Sequence, residues 1–187
     1  MLPDRETQRL NAWRAAPLDE LLTVLLRQFK RLLLSKSLPL SDADAAQIAA
    51  ALVRRDPPDE RMERLRAALV ELVEESEAVL VAHGLSFAAA LNTDVADMPG
   101  WKSTADFLEL AEAKANAELR ISTASALLVL LGERRCGAYL AAVLDRAAAT
   151  GQYDLDAVIA ERALQSASGA HPADPLWRAQ AEAWYST

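Results

Sequence analysis

Residues 103–131, STADFLELAEAKANAELRISTASALLVLL, contain neither proline nor glycine, and their reading decides the fold. Ser103 stands before the apolar run as an N-cap, its hydroxyl placed to accept from an orphan N–H of the first turn. Asp106 follows three residues later, at the positive end of the helix dipole. Gly132 lies just past the last apolar residue, where a left-handed C′ residue is expected. The spacing predicts one helix of ~28 residues, ~42 Å long at 1.5 Å per residue.

Two apolar rows run along it in steps of three and four. One takes Leu108, Ala111, Ala115, Leu119, Ser122, Ala126 and Val129. The other takes Leu110, Ala113, Ala117, Ile121, Ala124, Leu128 and Leu131. Together they form a stripe wider than a coiled-coil seam, so several helices are expected to pack on it. Alanines in the first half allow close approach, and ALLVLL at the end predicts burial on every side. Glu109, Glu112, Asn116, Arg120 and Thr123 are expected to form the wet strip opposite. A helix so apolar needs partners to be stable.

Outward from this helix the rest of the chain also reads as helical. Leu18, Leu21, Leu22, Leu25, Phe29, Leu32 and Leu33 stripe a helix over about 17–35, with Pro17 at its start. A shorter helix precedes it over 3–15, with Pro3 at its first position and Leu10, Trp13 and Ala16 inward. After a connector holding Pro39, Ser41 caps a helix to about Arg55. Asp56-Pro57-Pro58 ends that helix. A long helix over about 58–83 carries Met62, Leu65, Leu69, Leu72, Val73, Ser76, Val79 and Leu80 on one side, with Gly84 after it. Ser86 caps a short turn. Residues 92–102, NTDVADMPGWK, form a boundary loop or a packed segment pinned by Trp101. Helices over about 135–149, 154–166 and 175–185 complete the chain.

The fold class expected is therefore all-α, an irregular bundle or short stacked array of about seven or eight helices. Residues 1–92 would form an N-terminal helical subdomain and residues 103–187 the long helix with C-terminal hairpins, together one compact domain. A 37-residue shift aligns Gly132 with Gly169 and Ala126-Leu127 with Ala163-Leu164. That would make two stacked hairpins, but no full repeat signature accompanies it.

The 187 residues carry a formal charge of −7, which disfavours nucleic acid as a partner. The charge is uneven: residues 71–120 hold three basic and ten acidic groups, whereas residues 1–70 hold twelve basic and ten acidic. Arg27, Lys30 and Arg31 with Arg54 and Arg55 could form an anion patch, although solvated helix ends are the plainer reading. A single cysteine permits no intrachain disulfide. With no recognisable leader, a cytoplasmic, soluble protein without a membrane span is expected.

Motifs for chemistry are missing. No glycine loop, GxSxG, HExxH or CxxC occurs, and no catalytic constellation or cofactor is expected. Glu71, Glu74 and Glu75 share one helix and Glu109, Glu112 and Glu118 another. The di-metal bundle pattern requires Glu-x-x-His, yet Leu80 and Ser168 precede His83 and His171 at that spacing. A solvated face therefore explains the acids better than a metal. Glu74, Glu75 and Glu77 turn away from the leucine stripe and could meet a basic partner. His83 suits a helix end and His171 an exposed connector. Cys136 follows Arg134-Arg135 near a helix start, where cations and dipole would favour a reactive thiol. Burial as a small apolar side chain is the competing reading. Trp177 and Trp184, seven apart, form either a docking stripe for the last helix or a partner contact.

The sequence thus favours a non-catalytic interaction or regulatory module whose partner is another protein or a second copy. Its alternative is a bundle that holds a small apolar ligand between helices, with Phe87, Met98 and Trp101 at the mouth.

Overall fold

The computed structural model describes residues 4–33 and 40–187, leaving out the side chains of residues 31–33. Pro3, the connector with Pro39 and the side chains of Arg31, Leu32 and Leu33 lie outside the described residues. The described helices are α1 (Arg5–Ala15), α2 (Leu18–Leu33), α3 (Asp42–Arg54), α4 (Glu60–Ala82) and α5 (Phe87–Ala90). They are followed by α6 (Thr104–Leu130), α7 (Gly137–Thr150), α8 (Leu155–Ser168) and α9 (Trp177–Tyr185). Among the described residues there is no strand, and the fold is an all-α bundle.

Local signals set the boundaries. The Ser103 hydroxyl accepts from the Asp106 amide at 3.1 Å, and Gly132 takes a left-handed φ of 88° after the α6 C-cap Leu131. Ser41 and Asp44 form a reciprocal capping box at α3. α4 begins at Glu60, two residues later than its prolines suggest, because the Asp59 carboxylate accepts from the Met62 amide at 2.9 Å. Each such cap contributes about 1 kcal/mol.

α6 is the axis of the molecule. α4 packs along it more extensively than any other helix, α8 and α7 cover its later half, and α2 touches it lightly while pairing with α3. A single cluster of buried side chains draws on both the 1–92 and 103–187 segments, from Leu25 and Phe29 through Leu65 and Leu69 to Leu128, Leu140 and Leu164. Within α6 every residue from Ile121 to Val129 is buried. The enclosed stretch begins earlier than ALLVLL, and Leu130 and Leu131 are only half-buried. Small side chains at 122–126 make this possible, since they let neighbouring backbones come close. The buried hydroxyls of Ser122 and Thr123 donate back to the Leu119 carbonyl, at 3.2 and 2.6 Å, so neither of these two needs water. Thr123 therefore belongs to the core and not to the wet strip.

The other apolar row fails over the first half of α6. Leu108 and Leu119 are 61% and 41% exposed, and Ala115 is exposed as well. The described helices cover the Leu110–Ala117–Ile121 row and leave this one open. Val79 on α4 is likewise exposed. In the loop before α6 the buried anchor is Met98, which follows a 3-10 turn at Val95–Asp97. Trp101 stays on the surface, edge-on to Phe107 with ring centroids 5.4 Å apart.

At the far end α9 lies against α7 and α8. Ala181 is buried, and Trp177 and Trp184 are half-buried against the core. Gly137 opens α7 where Tyr185 crosses it. A methyl group at that position would fall 2.5 Å from Tyr185 Cβ, so the crossing needs glycine.

Candidate docking face and the remaining site residues

The open face of α6 is built from the residues that periodicity aligned for burial. Leu108, Ala115 and Leu119 follow one another at steps of seven and four, so they line one side of the helix. Beside them Glu109, Glu112 and Asn116 are exposed. At its C-terminal end the stripe enters an open groove of about 730 Å³ lined by Trp13, Val24, Arg27, Gln28, Leu119 and Leu155, with Thr123 and Asp156. α1, α2, α6 and α8 thus contribute one wall each. Burial raises the Asp156 carboxyl above the ordinary carboxylate range and Asp154 adds to the shift, while Arg146, paired with Asp154 at 2.9 Å, opposes it.

Several residues singled out in the sequence lie elsewhere. Glu74 and Glu75 are exposed on α4. Glu77 does not turn outward: it is half-buried and accepts a hydrogen bond from the Tyr139 hydroxyl. That bond joins α4 to α7, a neighbour that the helical spacing on α4 alone does not reveal. Phe87 packs edge-on against the same Tyr139 ring, centroids 5.6 Å apart. Phe87 and Met98 are both buried, 4% exposed each, while Trp101 lines a shallow groove with His83, Pro99, Leu110 and Ala113. The three proposed mouth residues therefore do not surround one cavity.

Cys136 is 2% exposed, at the end of the 3-10 turn that leads into α7. Desolvation pushes its thiol up to about 11, with Glu133 adding to the effect and Arg135 and the Ser125 hydroxyl opposing it. Such surroundings favour the neutral thiol of a packed side chain over a thiolate nucleophile. His83 is the exposed C-cap of α4, and His171 Nδ1 accepts from the Ala173 amide at 3.1 Å. Among the described residues, no three His, Cys, Asp or Glu side chains gather where a metal ion could be held. No helix there is long and apolar enough to cross a membrane.

Arg27 and Lys30 on the one hand, and Arg54 and Arg55 on the other, do not form the single patch the sequence allows. Arg27 and Lys30 each lie 3.8 Å from Asp42, at the start of α3. Arg54 and Arg55 lie at its other end, about 20 Å away at 1.5 Å per residue, where Arg54 pairs with Asp56 at 2.8 Å. No family model matches the chain, and no curated protein or solved structure matches it at a significant level.

Proposed function

We propose that the protein is a non-catalytic interaction module that docks an amphipathic helix of a partner protein on the open face of α6. The observation that carries the reading is the exposure of Leu108 and Leu119 in register on the acidic half of α6. Large apolar side chains that share a helix face are unfavourable in water and favour a partner helix with matching i, i+3, i+4 and i+7 anchors. Charge chooses among partners. Glu109 and Glu112 flank the stripe within a segment that has ten acidic and three basic groups. A partner with lysine or arginine beside its apolar stripe is attracted there, whereas a second copy in parallel register would set acid against acid.

A synthetic helix with a leucine stripe and lysine flanks serves as the probe. It is expected to bind and to lose ~10-fold or more affinity to the Leu108→Ser/Leu119→Ser variant, the magnitude of two lost apolar anchors. A glutamate-flanked version of the peptide is expected to bind more weakly than the lysine form. Equal binding of the lysine peptide to native and variant protein would refute the assignment. A concentration-dependent dimer abolished by the same substitutions would replace the foreign helix with a second copy.

A further inference from the structure

At the end of α6 remote from the open face, the carbonyl ends of α3, α6 and α8 border one cavity of about 330 Å³. Arg55, Arg66 and Arg134 reach it from three places in the chain, and Leu52, Met62, Val129 and Trp184 supply apolar walls. We propose that this cavity binds a small, soluble amphiphilic anion, an apolar body that carries one phosphate, sulfate or carboxylate head.

Charge supports the head. Among the described residues, Asp56 is the one carboxylate that lines the cavity, and Arg54 beside it holds that group through two hydrogen bonds of 3.1 and 2.8 Å. Glu133, near Arg66 at 3.7 Å, is shared with Arg135 at 3.3 Å, and Glu63 lies 3.9 Å from Arg66 on its other side. The three helix ends add roughly half a negative charge each, and together with Asp56, Glu63 and Glu133 they still fall short of the five guanidinium groups of Arg54, Arg55, Arg66, Arg134 and Arg135. The cavity is therefore a positive site on a chain whose formal charge is −7.

Hydrogen-bonding capacity supports it as well. The Arg66 guanidinium donates to the Leu131 carbonyl at 2.6 Å, Arg55 donates to the Ser166 carbonyl, and Arg134 donates to the Thr187 hydroxyl at 2.6 Å. Each guanidinium has five N–H donors in a planar fork, so these bonds orient it and leave further donors for an oxyanion. Arg134 also lies over the Trp184 ring, 5.7 Å from its centroid. That contact holds a cation next to an apolar wall, the juxtaposition an amphiphile needs. Capping of helix ends alone would explain the carbonyl bonds of Arg55 and Arg66. It does not explain Arg134, which bonds to no helix carbonyl among the described residues, or the open apolar space between the three.

Calorimetric titration with octyl phosphate, octanol and inorganic phosphate separates head from tail. Octyl phosphate is expected to bind with one-to-one stoichiometry, and the other two at least ~10-fold more weakly. Arg55→Gln and Arg134→Gln, both at exposed positions, are each expected to weaken octyl phosphate by ~10-fold, the order of one charge-assisted hydrogen bond. Arg178→Gln, whose side chain pairs with Asp145 outside the cavity, is expected to change nothing. Unchanged helicity and melting in the variants ensure that lost binding is not lost folding. Octanol binding as tightly as octyl phosphate overturns the proposal. So does full affinity in a folded Arg55→Gln/Arg134→Gln variant, or co-sedimentation with phosphatidate vesicles without binding of the soluble probe.

Discussion

The thiol of Cys136 is governed by its surroundings and not by the two arginines before it in the sequence. Arginine charge lowers a thiol pKa only where the thiolate can be solvated or directly paired. Here burial dominates, and Glu133 works against Arg135. The thiol is accordingly expected to react with a disulfide reagent at neutral pH no faster than the protein opens, with the rate rising to that of a free cysteine in denaturant. Fast reaction of the native protein would refute the burial. The pH dependence has a definite sign. The group titrates near 9.0 when unconstrained and near 11 in the fold, so across that window the unfolded chain releases a proton that the folded chain keeps. The contribution of Cys136 is fully present below about 9 and is lost as pH rises through about 11. A Cys136→Ala variant should lack that part of the alkaline decline in chemical-denaturation stability.

At the scale of the element, α6 shows how far periodicity reaches. A helical wheel places two rows on it and cannot say how many neighbours arrive to cover them. Ala117 is 3% exposed within the buried cluster, and a leucine there must displace packed side chains. Ala117→Leu is expected to destabilise by about 1–3 kcal/mol, measured as a shift in denaturant midpoint at unchanged slope. Ala113, which the sequence places in the same row, is half-buried beside the shallow groove with Trp101 and His83. Ala113→Leu is expected to stay within about 0.5 kcal/mol. Similar losses at both sites would mean that α4 covers the whole row.

Across the whole molecule, one buried cluster joins helices from both parts of the chain. Arg162 on α8 donates to the carbonyls of Arg14 and Ala16 at 2.9 and 3.1 Å, tying the end of α1 to the C-terminal half. Removing either part would strip apolar surface from the other, so the fold is expected to unfold as a unit. Helicity and tryptophan fluorescence should then report the same denaturation midpoint. Separate midpoints would show that the segments 1–92 and 103–187 have independent cores.

The sequence by itself determined the helices and their ends. Caps such as Ser41 and Ser103, and the glycine after α6, act within a few residues of chain, and the leucine stripes of α2 and α4 repeat at helical spacing. It also made plain that Trp177 and Trp184 share a face. Only the tertiary structure decided which apolar row of α6 stays open, that Glu77 meets Tyr139, and that Phe87, Met98 and Trp101 part company. It alone brought Arg55, Arg66 and Arg134 to one cavity. The physical reason is that capping and amphipathicity are local properties. Coverage of a face, desolvation of a thiol and convergence of charges depend on which distant segment packs alongside.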